Sequence, residues 1–259
     1  MSDPEAMFSR ISQLFLAAAF SVPAYTVWAD EPDTGNSFSG NVGVVSRYVY
    51  RGGVENDDMA VQGGVEYAHK SGVTLGYWGS TLGYDPADDA KNRGFEHDLY
   101  VAYDHDFAKD WKYHLQTTAY YYQDSGRLVS EEGERRKLTG YDVMGYVAYK
   151  DLSVGATVQL NNATYANAGD VYLSAVYHHP LKYDMTLNTS VGAYIYNDAH
   201  DDSFIQTEKD VVFNEARVGV SKAFSDTGLT ASLDYVVGGQ DRLGDDFDNH
   251  MVAGLNFSF

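Results

Sequence analysis

Apolar and polar residues alternate along most of this chain with a period of two. In MAVQGGVEYA, Met59, Val61, Val65 and Tyr67 share one face while Gln62 and Glu66 share the other. In WKYHLQTTAYY, Trp111, Tyr113, Leu115, Ala119 and Tyr121 oppose Lys112, His114, Gln116 and Thr118. Successive side chains of a strand point to opposite faces, so this pattern predicts half-buried strands rather than helices. It recurs over 37–50, 59–68, 72–82, 95–103, 111–121, 141–149, 152–160, 171–177, 185–196, 212–220, 229–237 and 251–259. That makes roughly 12 strands of about 8–14 residues. The alternation runs to the last residue: Met251, Ala253, Leu255, Phe257 and Phe259 are apolar at every second position.

The connections alternate too. Those after the odd-numbered strands are long and acidic, such as GYDPADDAKNRG and NDAHDDSFIQTEKD; those after the even-numbered strands are mostly short, such as HKSG and KD. DHDFAKD and HHPLKYD also read as connections on the short side, with Pro180 in His178-His179-Pro180 expected to stop strand pairing at a turn. Long loops at one end and short turns at the other are the asymmetry of a barrel threaded from the periplasm. A soluble sandwich also alternates, but its apolar face is filled mainly by aliphatic residues. Here aromatics gather at strand ends. Phe38, Tyr67, Tyr103, Trp111, Tyr113, Tyr149, Tyr177 and Phe259 fall at one rim; Tyr48, Phe95, Tyr121, Tyr141 and Tyr235 fall at the other. Two aromatic girdles around an aliphatic band suit the two lipid interfaces. Ten residues at ~3.3 Å each, tilted by ~40°, climb roughly 25 Å, the height of an outer-membrane apolar band. The pattern predicts an all-β chain: a closed antiparallel up-and-down transmembrane β-barrel of about 12 strands, spanning 30–259.

Composition adds three constraints. The 259 residues carry a net charge of −19, which argues against nucleic-acid binding. Cysteine is absent, which excludes disulfides and thiolate metal sites. No cofactor or metal set stands out. The clusters Asn197-Asp198-Ala199-His200-Asp201-Asp202 and Asp245-Asp246-Phe247-Asp248-Asn249-His250 lack calcium-loop spacing and read as solvated loop tips. Residues 1–29 read as a signal peptide. Arg10 precedes 19 uncharged residues, and Val27-Trp28-Ala29 offers small residues at −3 and −1. The mature chain is expected in the outer membrane of a Gram-negative bacterium.

The stretch SRYVYRGGVENDDMAVQGGVEYAHKSGVTLGYWGSTL, residues 46–82, resembles the N-terminal signature of the TorF family of porins. The likeness rests on S-R-Y-V-Y-R-G, A-V-Q-G-G-V-E-Y and Gly76-Tyr77-Trp78-Gly79-Ser80. It covers about 40 residues, with a less specific likeness in the later strands and the final Phe. The resemblance implies a proteobacterial outer-membrane barrel with pore activity, and it carries no catalytic residues. The aromatic C-terminal residue also resembles the signal read by the barrel assembly machinery.

If the apolar faces meet lipid, the opposite faces line the lumen. Parity then places Arg47, Glu66, Glu96, Asp98, Lys112, His114, Asp142, Glu215, Arg217 and Asp234 inside, with Arg51 among them. An ionisable group at membrane depth must sit in water or be paired. In one reading these side chains border an aqueous path for small hydrophilic solutes or ions, with an acid excess favouring cations. In the other they pair across strands and fill the barrel. A third possibility is a lipid-modifying barrel enzyme, which needs a nucleophile near His97 or His114. Neither histidine has a same-strand nucleophile two residues on, since Leu99 and Gln116 stand there. Structural or adhesive barrels form a further class. The expected partners are outer-membrane lipid and lipopolysaccharide, the assembly machinery, and small hydrophilic solutes.

Overall fold

The computed structural model describes residues 35–88, 90–123, 126–129, 135–198, 205–224 and 227–259. Twelve long strands close into one antiparallel barrel: β1 (Ser37–Val45), β4 (Ala60–Ala68), β5 (Val73–Leu82), β6 (Gly94–Ala108), β7 (Trp111–Tyr122), β10 (Gly140–Tyr149), β11 (Leu152–Gln159), β12 (Val171–Pro180), β13 (Met185–Ile195), β14 (Val211–Phe224), β15 (Leu229–Gly238) and β16 (His250–Ser258). Two short hairpins stand apart from the wall: β2 (Tyr48–Tyr50) with β3 (Gly53–Asn56), and β8 (Arg127–Val129) with β9 (Arg135–Lys137).

Each wall strand pairs with its neighbour in sequence along the wall, and β1 closes the sheet against β16 through Val42↔Phe257 and Val44↔Leu255. Closure leaves no free sheet edge. The backbones of Gly40 and Phe259 exchange hydrogen bonds, both 2.9 Å, so the final residue is tied to the first strand. The expected alternation holds along the wall. Leu233, Tyr235 and Val237 are exposed outward on β15, whereas Asp234 and Val236 are buried inside. Twelve of the thirteen expected rim aromatics lie on the wall; Phe38, Tyr67, Trp111, Tyr149, Tyr177 and Phe259 are exposed at the short-turn rim and Tyr121, Tyr141 and Tyr235 at the long-loop rim.

Tyr48 is the exception. The first strand was expected to run over 37–50, but the wall ladder ends at Val45 and the chain turns inward. Residues 48–56 form a hairpin inside the barrel, and Tyr48 is only 4% exposed. The physical reason is that a two-residue period identifies a strand but not the sheet it joins. At the hairpin tip, Arg51 has φ 44° and Gly52 φ 84°. Such a pair of left-handed residues suits the tight primed turns of two-residue hairpins.

The short connections also differ in detail. β6 and β7 pair as far as Ala108↔Trp111, and β12 and β13 as far as Pro180↔Thr186. DHDFAKD and His178-His179-Pro180 are therefore mostly strand, and the turns shrink to 109–110 and 181–184. Proline is tolerated at Pro180 because it is the last residue of its strand.

Candidate functional site: the barrel lumen

The inward hairpin decides what the lumen is. β2 leaves the wall near β5 and β6. There the Tyr48 hydroxyl donates to Glu96 Oε2 at 3.1 Å and the Tyr48 ring meets Trp78 edge-on at 5.9 Å. The hairpin then crosses to the opposite wall. Its tip residue Arg51 lies over the Tyr172 ring of β12, 4.1 Å from the centroid, and donates to the Tyr194 hydroxyl of β13. The Gly52 amide donates to Glu215 Oε2 on β14 at 3.1 Å, and Arg217 donates to the Val49 carbonyl at 3.2 Å. A Cβ on Gly52 would stand 2.6 Å from the Phe247 ring and 2.7 Å from the Asn214 carbonyl, so the seat fits glycine. Tyr48, Tyr50, Trp78, Leu82, Tyr120, Tyr122 and Leu138 pack together, a dry core inside a barrel.

Among the described residues, two cavities flank the hairpin. One of about 140 Å³ lies on the short-turn side of the hairpin and is bordered by Arg47, Gln62, His178, Asn188, Arg217 and Asp234. The other, about 40 Å³, lies at the long-loop end between the hairpin tip, Asp142, Tyr194, Asn214 and Arg242. The second hairpin and later loops close over this end. Arg136 donates to the Ala163 carbonyl and to Asn167 Oδ1, each at 2.9 Å, and Arg242 pairs with Asp170 at 2.6 Å.

All ten residues assigned to the lumen from parity lie on the inward side, but they do not share one environment. Arg47, Arg217 and Asp234 border the larger cavity, and Asp142 the smaller. Arg47 contacts His250 Nδ1 at 2.9 Å. Glu96 and Asp98 are packed into the buried middle, where Asp98 is 2% exposed. The Tyr120 hydroxyl donates to Asp142 Oδ2 at 2.7 Å, and the Tyr100 hydroxyl donates to Glu66. Pairing within the wall holds others: Lys112 with Asp106 at 3.6 Å, His114 with Asp104 at 3.1 Å, and Arg217 with Glu215 at 3.7 Å. Some of these side chains thus border a cavity, and others are paired within the wall or packed against the hairpin.

Glu55 was not singled out from the sequence. It sits in β3, outside the membrane-crossing strands, and accepts a hydrogen bond of 2.5 Å from the Tyr84 hydroxyl. Burial pushes its carboxyl up to about 8, against the smaller opposing effect of that hydrogen bond. No periodic signal marks Glu55, Tyr84, Arg136, Asp170 or Arg242, because they lie in connections. His114 meets Asp104 and Gln116, and His97 meets the Tyr77 hydroxyl on the outer face at 2.9 Å. A histidine–serine contact occurs at His69 and Ser71, 2.8 Å apart, within the exposed turn before β5. Part of the cluster 197–202 lies outside the described residues.

A model of the family described as "Bacterial protein of unknown function (Gcw_chp)" matches residues 29–247. The chain belongs to that family. No curated protein matches it. Among solved structures, a KdgM porin is similar at 9% identity and a TM-score of 0.51, over 85% of this chain and 99% of that one. The P. putida toluene transporter TodX is similar at 10% identity and 0.50, over 88% and 90%. The outer membrane phospholipase A from Escherichia coli reaches 12% identity over 86% and 96%, at a TM-score of 0.42 too low to argue from. These likenesses concern the fold: a bacterial outer-membrane barrel.

Proposed function

We propose that this Gcw_chp-family chain is an outer-membrane channel for small hydrophilic solutes or ions, narrowed by its own first loop. The observation that carries this reading is the hairpin 48–56, which separates two cavities inside a closed barrel, each bordered by charged side chains. A purely structural barrel has no need of open space bordered by charged groups on both sides of a constriction. The similar structures KdgM, a porin, and TodX, a toluene transporter, suit a channel. The resemblance of 46–82 to TorF-family porins suits it too, and its motif S-R-Y-V-Y-R-G is the inward turn and hairpin itself.

The remaining parts of the proposal follow from the same placement. Residues 1–29 serve as a cleaved leader; β1 starts at the short-turn end, which an exported barrel keeps in the periplasm. Phe259, tied to Gly40, serves the assembly machinery. The acidic long loops face lipopolysaccharide. The long connections at the outer mouth are rich in acids, as in GYDPADDAKNRG and NDAHDDSFIQTEKD, and a ring of negative charge at a mouth favours entry of cations. Reversal potentials across a planar bilayer under a salt gradient test this: a cation preference is expected, and anion selectivity refutes it. The dry core around Tyr48 and Tyr50 favours a second reading, a permanently filled barrel. A folded protein that neither conducts nor opens on removal of the hairpin would establish that reading instead.

A further inference from the structure

Seven buried polar atoms on residues lining the smaller, long-loop cavity have no hydrogen-bond partner: Tyr50 Oη, Arg51 Nε, Asp142 Oδ1, Thr157 Oγ1, Tyr165 Oη, Asn214 Oδ1 and Arg242 Nη1. Tyr50, Asn214 and Arg242 are each more than nine-tenths buried. Buried polar groups are normally satisfied, and leaving one unpaired costs roughly 1–3 kcal/mol. Seven around one cavity mark a place where something polar belongs. The set holds two N–H donors, two acceptor oxygens and three hydroxyls that do both. Its formal charge is balanced, with the guanidinium groups of Arg51 and Arg242 facing the carboxyl groups of Asp142 and Asp170. Tyr194 and Tyr196 stack at 4.8 Å and supply aromatic surface, with the Arg242 guanidinium 4.4 Å from the Tyr196 centroid.

We propose that this cavity is a binding site for a small neutral polyol. Mixed donors and acceptors suit hydroxyl groups, and balanced charge disfavours an ion. The cavity volume of about 40 Å³ corresponds to roughly three water-sized positions at ~10–15 Å³ each. That seats about half of glycerol's six heavy atoms, one end of a polyol or of a sugar. The site rests on the channel reading for its role, as the first stop at the outer mouth, but not for the binding itself.

Saturation-transfer NMR on the full folded protein in detergent tests it, with glycerol as the probe. Wild type is expected to give saturable transfer, with acetate and methylammonium failing to compete. Tyr50→Phe removes only an unpartnered hydroxyl and is expected to weaken glycerol binding by roughly 3- to 10-fold. Arg242→Lys keeps the charge beside Asp170 and should weaken it in the same range. Ser190→Ala, in the other cavity, should leave it unchanged. Heat-modifiability on gels confirms that each variant is folded. No transfer in wild type, a cavity holding water alone, overturns the proposal, as does binding that both variants leave intact. Glycerol binding without solute flux in liposome swelling would support this site while sinking the channel reading. Flux without binding would do the reverse.

Discussion

Arg51 fastens the hairpin to the far wall, and replacing it with alanine should release the tip. The guanidinium lies over Tyr172 and also near Tyr50 and Tyr194, at 4.1, 4.8 and 5.3 Å from their centroids. A desolvated cation–π contact contributes about 1–2 kcal/mol. The hydrogen bond to Tyr194 involves a charged donor and contributes about 1.5–3 kcal/mol. Arg51 already has φ 44°, so alanine keeps a similar backbone strain and that term largely cancels. The Gly52 amide still holds Glu215. Taking about 3 kcal/mol as the net loss, the undocked fraction should rise roughly 100-fold, since each 1.4 kcal/mol is a factor of ten. Hydrogen exchange read by mass spectrometry on peptides covering 48–56 measures this, with wall peptides from β12 to β15 as the internal reference. Hairpin exchange should accelerate about 100-fold while the wall stays protected. Unchanged hairpin exchange in a folded variant would refute the claim that Arg51 anchors it.

Three further outcomes test the same architecture. Gly52→Ala puts a Cβ against Phe247 and the Asn214 carbonyl at a left-handed backbone position, where an L side chain costs roughly 1–2 kcal/mol; faster exchange of the hairpin is expected, and wild-type protection would contradict the tight seat. Docking should also depend on pH through Glu55, whose carboxyl ionises near 8 when buried and near 4.5 ordinarily. The docked hairpin holds a proton that the released one lacks between those values, so docking is fully supported below about pH 4.5, weakens as pH rises and levels off above about 8. Open probability in bilayers should therefore rise from pH 5 to pH 9, and Glu55→Gln should flatten the profile; a rise that survives in the variant would assign it elsewhere. Deleting Phe259 removes its backbone pairing with Gly40 and its stacking on Phe257 at 6.0 Å; a lower yield of heat-modifiable barrel is expected, and an unchanged yield would deny the last residue a part in closure.

The wall was legible in the sequence because lipid imposes the alternation. Asp234 between Leu233 and Tyr235 could only point inward, and a one-residue slip would have put it in lipid. The hairpin was not legible from the same rule. Tyr48 continues the parity of Val42 and Val44, and the pattern reports a dry surface without saying whether lipid or a filled lumen makes it dry. A signal was nevertheless present: Tyr48-Val49-Tyr50 is apolar at three successive positions, ahead of the turn residues Arg51-Gly52-Gly53. Such a run reads as a strand buried on both faces. The His178-His179-Pro180 turn failed for a related reason, since proline forbids only a ladder donor and Pro180 needs none at the end of its strand. Parity placed the ten lumen residues on the inner face. It could not sort Arg217 beside a cavity from Asp98 in packed protein, because that depends on a connection folding back across the barrel.

Single-channel recording of the purified, refolded protein, compared with a variant in which residues 48–56 are replaced by a short Gly/Ser linker, tests the central claim most directly. A self-narrowed channel predicts small or rare openings in the full protein and larger, sustained, cation-preferring openings in the variant, both folded by heat-modifiability. A variant that folds and still passes no current, or a full protein that already conducts as widely as the variant, would contradict it.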